Sequence, residues 1–252
     1  MSQWWPDQPG KSQLWTYPPD QPTLGPSDIH VWLSSLKRPA AVVNGFAALL
    51  SPDEKAKADR FVFDEDRRNY IVARGCLRSI LSRYLQSSPK KIGFVYGEYG
   101  KPALAASSAE LNFNVAHAGE FALYALTQIG EVGVDLEYIR ADFAVDGVAK
   151  RFFSPGEVVS LDQFEGPLRD EAFFRCWTRK EAFIKAKKMG LSLELDQFEV
   201  SLDAQEPALL HTRWDDSEAA RWSLRDIHVG PSYVAALAIE AQEWKLSHFL
   251  LT

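Results

Sequence analysis

In Glu131-Val132-Gly133-Val134-Asp135-Leu136-Glu137-Tyr138 apolar residues alternate with small or acidic ones, the period-two pattern of a β-strand. Val132, Val134, Leu136 and Tyr138 then face a core, while Gly133, Asp135 and Glu137 share the opposite face. Two carboxylates stand side by side there, and neighbouring like charges are held together by a cation or a shared proton. Mg²⁺ suits such a pair, because it takes oxygen ligands, accepts one or two carboxylates and completes its shell with water and phosphate oxygens. A D-x-E pair by itself also describes an edge strand meeting solvent. Gly133 favours the functional reading, since a missing side chain beside the acids leaves room for a ligand.

Downstream of this strand the pattern predicts helical segments near 142–163, a longer helix near 170–188, and strands near 197–202, 221–228 and 233–240. Upstream, Asp28–Leu33 reads as a strand, and Ser51-Pro52-Asp53-Glu54 as an N-cap, a first-turn proline and first-turn acids. Tyr70, Ala73, Leu77, Ile80, Leu81 and Tyr84 recur at helical spacing within 66–86, and short strands follow at Ile92–Tyr96, Leu111–Val115 and Phe121–Leu126. The order therefore runs twice. Residues 70–78 fall where 174–182 fall, and 121–126 where 233–238 fall. The predicted fold class is α+β: a Pro- and Trp-rich tail at 1–27, then two pseudo-duplicated lobes, 28–130 and 131–252, with the active site at their interface.

The predicted second long helix carries Phe173, Trp177 and Ile184 on about one face, with Glu181 and Lys185 as i,i+4 neighbours on another. An exposed pair of that kind is an ordinary surface ion pair worth about 0.3–0.5 kcal/mol. Lys180, Lys187 and Lys188 add positive charge suited to a phosphate. Lys101 and His117 flank a turn and a strand end, from which a cation reaches a bound anion.

With 28 Lys+Arg against 34 Asp+Glu the chain is net acidic, at −6, which argues against nucleic-acid binding. Within 51–91, however, basic residues outnumber acidic ones, a local field suited to an anionic ligand or partner. No stretch is long and apolar enough to span a bilayer and no secretory leader is read, so a cytoplasmic protein without membrane contact is expected. Cys76 and Cys176 have no disulfide or zinc spacing and are expected as buried thiols.

Together and in this order the segments resemble the Sfp-type 4′-phosphopantetheinyl transferases of the holo-acyl-carrier-protein synthase superfamily, with the pattern most similar to cyanobacterial members. The resemblance rests on Gly133-Val134-Asp135-Leu136-Glu137 and Trp177-Thr178-Arg179-Lys180-Glu181-Ala182. It is supported by Phe152-Phe153-Ser154-Pro155-Gly156-Glu157, Tyr99-Gly100-Lys101-Pro102 and Phe113-Asn114-Val115-Ala116-His117. It implies transfer of the phosphopantetheine arm of coenzyme A to a serine of an acidic acyl or peptidyl carrier protein, by a monomer. Asp135, Glu137 and Glu181 would hold Mg²⁺, with Mn²⁺ able to substitute, and Lys180 and Lys185 would lie near the phosphates. Lys101 and His117 would contact the adenosine end, including its 3′-phosphate, helped by Arg60 or Arg68. Glu181, then Glu137, would accept the serine proton. Ala116 and Ala118 stand where the family usually has serines, so two hydroxyls are missing there. A Mg²⁺-dependent phosphohydrolase, or a noncatalytic carrier-binding scaffold of the same fold, would use much of the same inventory.

Overall fold

The computed structural model describes residues 15–105 and 111–252; most of the expected tail, residues 1–14, lies outside them. In chain order the first half runs β1 (Asp28–Ser35), α1 (Ala40–Ala47), α2 (Pro52–Ala58), α3 (Asp64–Leu85), β2 (Phe94–Tyr96), β3 (Pro102–Leu104), β4 (Asn112–Ala118) and β5 (Phe121–Thr127). The second runs β6 (Val132–Tyr138), α4 (Val145–Phe152), α5 (Pro155–Leu161), α6 (Gly166–Lys187), β7 (Phe198–Val200), β8 (Leu209–Thr212), β9 (Ser223–Asp226), β10 (Tyr233–Ile239) and β11 (Lys245–Leu251).

Alternation along the strands sorts their side chains into three core layers. Trp32, Ala122, Tyr124 and Leu126 face α3 and pack with Val72, Cys76, Leu77 and Ile80. On the other side of the same strands, Ile29, Val31, Leu33, Leu123 and Ala125 meet Val132, Val134, Leu136, Ala235, Leu237 and Ile239. Ala236 and Ala238 point away from that layer, toward Phe183, Ala182 and Ala186 of α6. The order of layers is thus α3, a sheet β11-β1-β5-β4, a second sheet β6-β10-β9, and α6. Each branched side chain sealed between the sheets contributes roughly 1.5–3 kcal/mol.

The two halves are also alike in their caps. Ser51 and Glu54 form a capping box at α2, and Ser154 and Glu157 form one at α5, each with proline in the first turn. In both, the glutamate also receives a cation from the long helix. Glu54 accepts from Arg74 and from Arg78 Nε at 2.8 Å, and Glu157 pairs with Lys180 Nζ at 2.8 Å. The long helices α3 and α6 each span 22 residues and end on a left-handed residue, Gln86 and Lys188.

Four elements escape the sequence patterns: α1, β3, β8 and β11. The last of these matters for topology. Residues 245–251, which the sequence reading groups with the second lobe, pair in parallel with β1 of the first sheet. Thr16 then bridges to Phe249 beyond that strand, and Trp15 Nε1 donates to His228 O at 2.9 Å. Cys76 and Cys176 are buried free thiols.

Gly133 has a different purpose from the one its place in the sequence suggests. A Cβ there would lie 1.9 Å from Ala182 O and 2.6 Å from Ala186 N, so the backbone of α6, and not a ligand, fills the space. Contacts that short cannot be relieved by rotating a side chain. Gly133→Ala is therefore expected to push α6 off β6 and to destabilise the protein by about 2–3 kcal/mol, as overpacking does. Urea unfolding checks this; a change below about 0.5 kcal/mol would show that the helix is not held so closely.

Candidate functional site

Close approach of α6 to β6 sets out the site. Ala182 and Ala186 are one helical row, and they lie on Gly133. The adjacent row, Trp177, Glu181 and Lys185, repeats every four residues and so shares a face. Those three side chains meet Asp135 and Glu137, which follow Gly133 on the same face of β6. Together with Val115, Ala116, His117 and Leu136 they line a cavity of about 360 Å³. The walls come from both lobes, since Val115 to His117 belong to β4. What aligns β4 with β6 is Asn114, whose buried Oδ1 accepts from Val134 N at 2.9 Å and replaces a ladder bond between strands of different sheets.

Electrostatically the cavity is overloaded with acid. Burial raises the Asp135 carboxyl above its ordinary range even though Lys185 Nζ sits 2.5 Å from its Oδ1. Its Oδ2 is buried with no hydrogen-bond partner. Glu137 is pushed up to about 7 by burial and by the charge of Asp135, and Glu181 is raised by the same two causes. His117 is shifted down by desolvation and by Lys185. Three carboxylates that each resist ionisation around one cavity, with an unpartnered oxygen among them, match a hard divalent cation, whose charge would favour the ionised forms. Among the described residues no three His, Cys, Asp or Glu side chains are already gathered into a ligand set. The counter-charge present at Asp135 is Lys185.

The remaining sequence-predicted residues are not brought to this cavity. Lys180 neighbours Glu181 in sequence, but one residue turns the helix by ~100°, and its ammonium is fully buried on another side of α6. There it donates to Leu195 O at 2.7 Å and Phe198 O at 2.6 Å and pairs with Glu157. It has no donor to offer a phosphate. Lys101 lines a second cavity of about 220 Å³ with Tyr96, Tyr99, Glu131 and Lys188. Arg60 and Arg68 are exposed, Arg60 between α2 and α3 and Arg68 on α3, where it donates to Arg38 O. Conversely, Trp177, read from spacing as core, also walls the cavity. Asn114 has no role in the sequence reading; of the three polar residues of β4, Asn112, Asn114 and His117, it is the buried one.

Family models match the chain in two consecutive pieces. Residues 39–128 match the N-terminal model of 4′-phosphopantetheinyl transferases, and residues 131–238 match the 4′-phosphopantetheinyl transferase superfamily. The second piece contains β6, α6 and all three cavity carboxylates. Over 233 residues the chain is 38% identical to the 4′-phosphopantetheinyl transferase HetI of Nostoc sp., covering 92% of this chain and 95% of that protein. The chain belongs to the 4′-phosphopantetheinyl transferase superfamily. It is 39% identical over 168 residues to a putative 4′-phosphopantetheinyl transferase of Synechocystis sp., covering 66% of this chain and 68% of that protein. With the transferase Sfp of Bacillus subtilis it shares 33% identity over 157 residues, 62% of this chain and 68% of that one. As a 4′-phosphopantetheinyl transferase the chain is an enzyme, and the carboxylate-lined cavity is its candidate active site.

Proposed function

We propose that this transferase moves the 4′-phosphopantetheine arm of coenzyme A onto a serine hydroxyl of an acyl or peptidyl carrier protein, giving holo-carrier and 3′,5′-ADP. The observation that supports the site assignment is the single cavity that gathers Asp135, Glu137, Glu181, Lys185 and His117 from three elements of two lobes. Phosphoryl transfer asks for positioning and for neutralisation of oxygens more than for covalent help. Asp135, Glu137 and Glu181 would hold Mg²⁺, or Mn²⁺ in its place, which when bound supplies positive charge to the diphosphate oxygens. Lys185 is partly exposed and donates to the departing phosphate. His117, at the β4 end of the cavity, binds the adenosine end through its ring N–H.

The serine oxygen forms a bond to the phosphorus that bears the pantetheine, the bridging bond to 3′,5′-ADP breaks, and the serine proton passes to a carboxylate. Glu181 takes that proton, because it shares a helical row with Lys185 beside the phosphates. Glu137 is the competitor. Single-turnover rates at saturating Mg²⁺ separate them: Glu181→Gln is expected to lose about 100-fold and Glu137→Gln clearly less, whereas equal small losses would sink both assignments. The acceptor is an acidic carrier, attracted by the exposed Lys55, Lys57, Arg60, Arg67 and Arg68. Among the described residues no helix is long and apolar enough to cross a membrane. The whole reading is tested by incubating the protein with coenzyme A, Mg²⁺ and an apo carrier and weighing the carrier. The added arm is expected, and 3′,5′-ADP release without carrier would mark a hydrolase instead.

A further inference from the structure

Lys101 is a cavity cation whose ammonium is already held by two backbone carbonyls of this chain. Its Nζ donates to Lys185 O at 2.8 Å and to Val132 O at 3.0 Å, and Glu131 Oε2 lies 3.6 Å away. An ammonium has three N–H groups and no acceptor, so the two carbonyls take two of them, and the Glu131 carboxylate stands at ion-pair distance from the nitrogen. Only 15% of the side chain is exposed, and burial pushes its proton affinity down to about 8, with Glu131 opposing. The same Glu131 holds Lys188, the last-turn cap of α6, at 2.5 Å.

The acceptors are what give this geometry its meaning. Val132 begins β6, three residues before Asp135. Lys185 carries its own ammonium to Asp135 while giving its carbonyl to Lys101. A lysine just ahead of the β2–β3 hairpin's second strand, in the first lobe, thus ties together the start of the strand that bears two cavity carboxylates and the end of the helix that bears the third. We infer that Lys101 is a positioning residue, a latch that sets the register of α6 against β6 and so aims Lys185 at the cavity, and that it does not bind a phosphate of the donor. This rests on the transferase reading above, and it departs from the phosphate contact that the family resemblance implied for Lys101.

The two roles separate when the full chain is given coenzyme A or 3′-dephospho-coenzyme A as donor with one apo carrier. For a latch, Lys101→Met lowers kcat at least tenfold with both donors, leaves the ratio of their kcat/KM values within twofold of wild type, and leaves KM for coenzyme A within threefold. Hydrogen exchange of the amides at 186–189 speeds up in the same variant, a readout independent of turnover. Lys101→Arg, which keeps the charge and donors, recovers part of kcat. If instead the donor ratio collapses toward one, or KM rises with kcat unchanged, Lys101 reads phosphate and the latch is wrong. Wild-type kinetics and exchange in Lys101→Met overturn it equally. Should that variant fail to fold, Glu131→Gln, which weakens the Lys101 anchor together with the Lys188 pair, carries the kinetic comparison: it must slow kcat without moving the donor ratio. A wild-type protein that loads no carrier from either donor would count against the transferase reading itself, while the exchange comparison still decides the latch.

Discussion

Lys180→Met is expected to lower the free energy of unfolding by about 3–5 kcal/mol, the range for removing one partner of a buried ion pair. The size follows from what is left behind. Glu157 is almost fully buried and its carboxyl is already raised by burial, with Lys180 the chief opposing influence. Without that ammonium the carboxylate keeps the α5 cap donor Ser154 N, the β7 donor Val200 N and the neighbouring Cys176 thiol, and Leu195 O and Phe198 O lose their donor. Methionine fills much of the lysine's volume, so the loss is electrostatic more than a cavity effect. Adding Glu157→Gln removes the stranded charge while keeping an oxygen for the cap, and the double variant is expected to regain about 1–2 kcal/mol. Urea denaturation of the three proteins measures this directly. If Lys180→Met kept full stability but raised KM for coenzyme A, the lysine would belong to the phosphate site after all.

Asp135→Asn should do the opposite. Transfer is expected to fall by roughly 1,000-fold in kcat/KM, because an amide of the same shape can neither neutralise a cation nor pair with Lys185. Stability should hold or rise. Burial places this carboxyl above its ordinary range in the folded state, so above the unfolded value its ionised form opposes folding, and removing the charge removes that opposition. Lys185 loses a partner but is partly exposed and can turn to solvent. Carrier mass spectrometry gives the first quantity and thermal melting without added metal gives the second. Activity within tenfold of wild type would end the assignment of Asp135 to a metal-bearing centre. A large drop in melting temperature would mean that the ion pair is structural.

These two residues show where sequence reading succeeds and where it stops. Asp135 was legible because strand alternation is local: once 131–138 is a strand, Asp135 and Glu137 must share a face with Gly133. Glu181 and Lys185 were legible for the matching reason, a four-residue repeat on a helix. Lys180 was misplaced because adjacency in sequence is not adjacency on a helix, and which of its faces meets the cavity depends on where β6 and the 195–198 segment pack.

By itself, then, the sequence determined the repeated strand and helix order, the N-cap at Ser51, the three carboxylates and the family they signal. All of these follow from short-range geometry and from residue identity. Tertiary structure alone decided that Gly133 admits a helix backbone, that Lys101 spans 84 residues to reach Lys185, and that β11 returns to pair with β1. Each depends on contacts between segments far apart in the chain, and no local periodicity encodes which distant surface a side chain will meet.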